Sequence, residues 1–279
     1  MKFVFFGYDF MLPCIRRLQA EGHELVGLMG FECDNIFNFN TGCQELARSC
    51  GAPFILSPAQ DIHIEDFLDR GAEVFFAAGY PFKIPPIDEA RAFALNLHPA
   101  FLPKARGIMP VPHIIMNEDQ EAAGLSLHKM TQKFDQGAIL SRQDFALSPR
   151  ETVETYSAKV AIRAPDMIAR AFADLPALWE NAQAQNEEDA SYYPPPGDDM
   201  RMMDWSKSVA EIDKTGRAFG RFGALAAFDG MLWAVYGYDF WEEAHSLIPG
   251  TIAARMSREI VIAAKDGFIC LKDYIHLSR

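Results

Sequence analysis

The chain has 279 residues, 49% hydrophobic and 23% charged, which suits one large folded domain, or a large and a small one, with a sizeable buried core. Its net charge of −12 argues against nucleic acid and anionic membranes as partners. The opening Met-Lys-Phe-Val-Phe-Phe-Gly has too short an apolar run for a secretory leader, and no later run is long enough to span a membrane.

Residues 2–6 read as a buried first strand that Gly7 ends. Residues 12–21 read as a helix, 23–29 as a second strand, 41–50 as a helix and 53–56 as a third strand. A helix over 64–70 and a fourth strand over 73–77 follow. Strand and helix alternate, which predicts parallel βαβ units and a doubly wound, mostly parallel α/β sheet. The first turn, Gly-Tyr-Asp-Phe-Met, lacks the G-x-G-x-x-G of dinucleotide folds. Tyr8 and Asp9 follow that strand and are expected to edge a ligand pocket, since such sheets bind at their carboxyl ends. Pro81-Phe-Lys-Ile-Pro-Pro86 is an irregular loop. Residues 124–130 alternate as a strand does, and 148–151 (Ser-Pro-Arg-Glu) read as the start of a helix running to about Arg163, with Pro165 as its break. Residues 187–200 are polar and proline-rich and read as a linker between a domain over 1–186 and a smaller one over 201–279. In the latter, a helix over 209–219 precedes strands at 232–235, 249–253, 259–263 and 268–271. The five cysteines are odd in number, widely spaced and without zinc-ligand spacing, so reduced thiols of a cytoplasmic protein are expected and no metal site.

The chemistry concentrates between Asn96 and Leu140. Asn96 and His98 stand two apart after an apolar run, so on a strand end both side chains face one side. Asp135 sits in a Phe-Asp-Gln-Gly turn, a place where functional groups are common. Taken singly, Asn96 reads as a turn cap, His98 as a buried histidine and Asp135 as an ordinary turn residue. Together, with Leu-Pro-Lys-Ala-Arg-Gly between them, they read as a site.

N-x-H-x-x-x-L-P-x-x-R-G followed by D-x-G, here Asn96, His98, Leu102, Pro103, Arg106, Gly107, Asp135 and Gly137, resembles the formyltransferases that use 10-formyltetrahydrofolate. The phrases DWSKSVAEI, FDG and PGTI resemble their C-terminal domain, a small open β-barrel of OB-like form. Ala100 departs from the family text, where Ser is usual. The resemblance implies catalysis by Asn96, His98 and Asp135, and a folate held by Tyr80, Phe82, Ile84, Leu102 and Gly137. It leaves Tyr8, Asp9 and Arg106 to the acceptor, although Arg106 also reads as a shaper of its loop. Acyl transfer to an amine needs a donor aimed at a developing oxyanion, a role open to Asn96 and His98. It also needs a proton acceptor, open to His98 or Asp135. His113 and His128 fit no site pattern and read as a helix residue and a strand residue near the pocket wall.

The acceptor reads as a small-molecule amine. Members acting on methionyl-tRNA carry a basic loop after the second strand, whereas this chain has no Lys or Arg from Leu18 through Ala47. Residues 191–279 hold ten Lys and Arg against twelve Asp and Glu, unlike an RNA-binding face. Phe6-Gly-Tyr-Asp-Phe-Met and Leu127-His-Lys-Met130 resemble the sugar N-formyltransferases, which points to an amino-sugar nucleotide and to a homodimer. Phe37 and Phe39 are then candidates to stack on its base. Methionyl-tRNA, hydroxyornithine and hydrolysis of the folate itself are the alternatives.

Overall fold

The computed structural model describes residues 1–32 and 40–277, so Phe37 and Phe39, proposed to stack on a base, lie outside the described residues. The chain divides into two compact units. The first comprises Met1–Pro110, Glu121–Ala146 and Ser157–Tyr193; the second comprises Val111–Gln120, Leu147–Tyr156 and Pro194–Arg279.

The first unit is built on β1 (Lys2–Gly7), α1 (Leu12–Ala20), β2 (Glu24–Gly30), α2 (Thr41–Cys50), β3 (Phe54–Leu56), α3 (Asp61–Asp69), β4 (Val74–Ala78) and β5 (Phe93–His98). It continues with β6 (Gly124–Lys129), β7 (Ile139–Asp144), the greater part of α5 (Val153–Ala173) and α6 (Leu175–Glu180), whereas α4 (Pro110–Asn117), but for Pro110, and the first turn of α5 fall in the second unit. The seven strands form one sheet in the order β3-β2-β1-β4-β5-β6-β7. Pairings are parallel up to β5, and β6 and β7 then add antiparallel. In β1, Phe3 and Phe5 point to one face of the sheet and Val4 and Phe6 to the other, and all four are fully buried. That accounts for a continuous apolar run in place of alternation. Val4 and Phe6 pack with Val26, Met29, Phe67 and Phe75 in one core cluster. On the opposite face Phe3 meets Phe172 edge-on, with centroids 6.0 Å apart.

The strand order reverses at β1, between β2 and β4, so the carboxyl ends Gly7 and Ala78 are neighbours. This is where doubly wound sheets leave a crevice. Two expectations need correction. Residues 148–151 form a turn, with the Ser148 N–H donating 2.6 Å to Glu151 Oε2, and the helix begins only at Val153. It then runs through Pro165 to Ala173 without a break. An interior proline forfeits one N–H bond, a cost that a long, well-packed helix can absorb.

In the second unit α7 (Asp198–Arg201) and α8 (Val209–Phe219) precede a five-stranded antiparallel sheet. Its strands are β8 (Ala224–Phe228), β9 (Met231–Glu242), β10 (Ile252–Arg255), β11 (Ile260–Ala263) and β12 (Gly267–His276), in the order β10-β11-β12-β9-β8. Ser208 caps α8 in a reciprocal capping box with Glu211. Among the described residues no helix is long and apolar enough to cross a membrane.

Candidate active site

Strand β5 ends in Asn96-Leu97-His98 and pairs antiparallel with β6, so that Asn96 faces His128 and His98 faces Ser126. The i, i+2 spacing puts Asn96 and His98 on one face of the sheet, and the register puts His128 beside them. The turn leaving β6 brings back Asp135. One of its carboxylate oxygens, Oδ1, lies 3.3 Å from Asn96 Nδ2 and 3.4 Å from both His98 Nδ1 and His128 Nε2. Its other oxygen accepts the Gly107 N–H at 2.9 Å. His98, His128 and Asp135 are all buried.

Main-chain carbonyls fix both imidazoles, because a carbonyl can only accept. His98 Nε2–H donates to Ala105 O at 2.8 Å, and His128 Nδ1–H donates to Lys129 O at 2.8 Å. Each ring therefore turns its other nitrogen toward Asp135. His128 Nε2 also accepts from Asn96 Nδ2 at 3.0 Å. Burial pushes the His98 imidazole below its ordinary pKa; Asp135 and the Ala105 carbonyl pull it back only in part, and His128 adds to the depression. Burial by itself would raise the Asp135 carboxyl, but the two histidines, once protonated at acid pH, and the Gly107 N–H hold it far below the usual carboxylate range. The site at neutral pH is thus a carboxylate, a neutral His98 with its Nδ1 lone pair turned to that carboxylate, and an amide whose 3.3 Å contact is its loosest. A proton taken up at His98 Nδ1 would turn a 3.4 Å approach into a charge-assisted hydrogen bond.

The turn between β5 and α4 is built by glycine and by a serine from the neighbouring strand. Gly107 has φ +122°, and a Cβ there would stand 2.1 Å from the Tyr193 carbonyl oxygen. Ser126 Oγ donates to Ala100 O at 2.7 Å and accepts the Leu102 N–H at 3.0 Å. A hydroxyl therefore serves the turn although residue 100 is alanine. Gly137 is pressed against β6: a Cβ there would lie 1.9 Å from Lys129 O.

The other expected residues divide. Tyr80, Phe82 and Ile84 follow β4 at the carboxyl edge of the sheet. Phe82 is exposed; Tyr80 and Ile84 are half-buried, with the Tyr80 hydroxyl donating to Ser57 O at 2.8 Å and burial raising its pKa to about 12. The Tyr80 ring is edge-on to Phe6, Phe31 and Phe82, and Tyr8 joins the group through Phe31. Asp9 is engaged elsewhere: its oxygens accept the Gly42 and Cys43 N–H groups at 2.8 Å each, capping the first turn of α2. Leu102 is fully buried, and its backbone carbonyl accepts from Arg142 Nη1 at 2.6 Å. Arg106 is buried and clasps Glu187 and Gln185 with its guanidinium, the loop-shaping alternative of its two readings. His113 lies in α4, and its Nε2 meets Pro194 O at 2.8 Å. His128, by contrast, is a full member of the cluster that reading the chain in order left out. The signal that finds it is the pairing of β5 with β6, which sets residue 128 opposite residue 96. Among the described residues no group of His, Cys, Asp and Glu side chains has a metal-binding arrangement.

Residues 61–172 match the family model of the formyl transferases, and residues 198–276 match the model of the formyl transferase C-terminal domain. Over 209 residues the chain is 26% identical to the methionyl-tRNA formyltransferase of Enterococcus faecalis, an alignment that takes in 74% of this chain and 66% of that protein. It shares its fold with HypX of Aquifex aeolicus, solved in complex with tetrahydrofolic acid, at TM-score 0.70 and 16% identity, covering 100% of this chain and 44% of that one. It also shares the fold of an N-formyltransferase from Helicobacter canadensis, solved with folinic acid and dTDP-3-aminofucose, at TM-score 0.66 and 13% identity over 99% of this chain and 100% of that one. The chain thus spans about two thirds of the Enterococcus relative and less than half of HypX. The two models of this one family together take in residues 61–172 and 198–276, more than half of the chain, and this chain belongs to the formyl transferases.

Proposed function

We propose that this protein transfers a formyl group from 10-formyltetrahydrofolate to the amine of a small molecule, an amino-sugar carried on a nucleotide. The observation that carries the reading is the convergence of Asn96, His98 and His128 on one oxygen of Asp135.

The residues present suit the donor. The loop over 81–87 makes no backbone hydrogen bond among the described residues, and it carries the exposed Phe82 ring and half-buried Ile84 beside Tyr80. A flat heteroaromatic ring with donors and acceptors on its edge suits unpaired backbone groups set among apolar side chains. The folate, when bound, supplies an activated formyl carbon. The chain supplies the rest. Asn96 Nδ2, held to His128 on one side and only loosely to Asp135 on the other, offers an N–H to the oxygen that gains charge as the amine attacks. His98 Nδ1 takes the proton the amine must lose and hands it to the departing N10 as the bond between N10 and the formyl carbon breaks, and Asp135 stabilises the imidazolium in between. His128 keeps the Asn96 amide turned inward. No side chain is acylated in this scheme.

Charge separates the acceptors. Relatives such as the Enterococcus enzyme are named for methionyl-tRNA, but here the net charge is −12 and the C-terminal unit carries no basic excess. Neutralising phosphates supplies much of the affinity of an RNA-binding surface, and that term is missing. The protein solved with dTDP-3-aminofucose covers this chain end to end and supports the nucleotide-sugar reading.

The test is a screen of purified protein with 10-formyltetrahydrofolate against 3-amino and 4-amino nucleotide sugars, hydroxyornithine and methionyl-tRNA. Tetrahydrofolate release and acceptor mass are followed together. Release coupled to one added formyl on a sugar upholds the proposal. Release without any formylated acceptor makes the protein a hydrolase, and formylated methionyl-tRNA overturns the small-molecule acceptor.

A further inference from the structure

Two non-glycine residues of the first unit adopt left-handed backbone at the site itself: Ala105 with φ +56° and Asp135 with φ +56°. Neither geometry is favoured for its side chain, and each serves His98 directly. The Ala105 carbonyl accepts from His98 Nε2, and the Asp135 carboxylate faces His98 Nδ1. The two residues lie on different loops, thirty positions apart in sequence. One side chain joins those loops. The Nε2 of Gln185 donates to Asp135 O at 2.7 Å and to Gly137 O at 2.8 Å, bracketing the turn that aims the carboxylate. Its Oε1 accepts from Arg106 Nε at 3.0 Å and from Arg106 Nη2 at 2.9 Å. Arg106 lies between Ala105 and Gly107, whose N–H holds the second oxygen of Asp135. All four hydrogen-bonding positions of the Gln185 amide are therefore in use, and the partners fix its orientation: the NH2 must meet two carbonyls, the oxygen a guanidinium. The strand-like bonds between Gln183 and Ile139, at 2.8 and 2.9 Å, anchor the segment just before it.

We propose that Gln185 is a positioning residue for the reaction: with Arg106 as its partner, it locks the left-handed turns at Ala105 and Asp135 so that His98 is held between a carbonyl and a carboxylate. The part of this that concerns rate rests on the formyl-transfer reading; the part that concerns His98 does not. Two ionisable groups face the His98 ring, Asp135 across its Nδ1 edge and His128 with ring centroids 6.5 Å apart. A turn released at Asp135 moves the attracting charge away and leaves the burial and the His128 neighbour that disfavour a proton on His98.

The experiment follows the ring nitrogens of His98 by NMR through a pH titration, in the full-length protein and in Gln185→Met, which keeps the volume and removes all four bonds. Gln185→Asn, which keeps an amide too short to span both loops, is the second variant should the first fail to fold. The expected result is a folded variant in which the His98 midpoint moves down, turnover falls about 100-fold, as for a catalytic group displaced by about 1 Å, and tetrahydrofolate affinity by calorimetry is unchanged. A titration and a turnover both equal to those of the unaltered protein overturn the proposal. So does a variant that loses thermal stability and folate affinity together while His98 titrates as before, the mark of a merely structural strut. If the unaltered protein transfers formyl to no amine and the midpoint still moves, the positioning role stands and the formyl-transfer reading alone falls.

Discussion

His98 and Asp135 differ from an ordinary histidine–carboxylate pair in which nitrogen is available. The Ala105 carbonyl claims the Nε2 proton, so only Nδ1 is open, and it opens onto Asp135. His98→Ala and Asp135→Ala are each expected to keep tetrahydrofolate binding by calorimetry and to lose turnover by at least about 1000-fold. Asn96→Ala removes a single donor and is expected to cost on the order of 100- to 1000-fold. The pH dependence has a definite sign. His98 must be neutral to take a proton, and its pKa lies below the ordinary value, so kcat/KM should hold as pH falls past about 6.5 and decline only on approach to the lowered His98 pKa. His128 contributes to that depression, so His128→Ala should move the acid limb to higher pH; a pH–rate profile of the two proteins checks this. Stability follows the same groups. The unfolded chain binds a proton at residue 98 that the native protein excludes, so stability falls as pH drops from about 6.5 toward the native pKa. The Asp135 contribution is present above the unfolded carboxyl pKa of about 4 and is lost as pH falls below it. That Asn96, His98 and Asp135 lie together was legible in the strand spacing and the turn, taken with the motif between them. The partners of Arg106 and Asp9 were not, since Gln185 and Glu187 lie about 80 positions from Arg106, and Gly42 and Cys43 more than 30 from Asp9.

At the scale of elements, the site depends on how one turn is tied to its neighbours. Ser126 is fully buried and serves the turn twice, through Ala100 O and the Leu102 N–H. Ser126→Ala leaves a buried amide and carbonyl without that partner and is expected to cost about 1–3 kcal/mol in urea unfolding. Gly107→Ala meets both a clash with the Tyr193 carbonyl and a backbone conformation closed to alanine, so it should lose more stability and also the N–H that holds Asp135. The strands of the parallel half were legible to within a residue or two, because buried apolar runs punctuated by glycine leave little choice. The antiparallel unit was read less completely. β8, Ala-Leu-Ala-Ala-Phe, has neither the alternation nor the branched residues that mark a strand, and only pairing with β9 makes it one. β9 and β12 extend well past their expected ends through Gly237 and Asp273, where the register shifts at an irregularity that sequence does not announce. Ser191 and Tyr193, in the stretch whose composition suggested a linker, are hydrogen-bonded to Pro103, Ala105 and Arg106. Polarity is an equally good sign of a solvated linker and of a strap whose backbone is paired.

Across the molecule, the alternation of strand and helix in the first eighty residues was enough for the doubly wound class, and motif phrases near the end identified the second unit. Net charge is the global property with the clearest functional consequence. If the acceptor is a nucleotide sugar, with few phosphates, kcat/KM should change little between low and moderate salt. A tRNA acceptor would give the steep fall expected when many phosphates are neutralised. Initial rates across a salt series, for whichever amine the screen identifies, check this directly.

The pairing of Asn96 with His128 and of His98 with Ser126 also bears on how the site opens. These residues sit on interior strands of a seven-stranded sheet, where amides exchange with solvent only through the largest openings of the fold. Their backbone hydrogens should therefore be among the last to exchange with deuterium. Loss of the cluster in denaturant should coincide with cooperative unfolding of the sheet, with no earlier local melting of the kind shown by sites built wholly on loops.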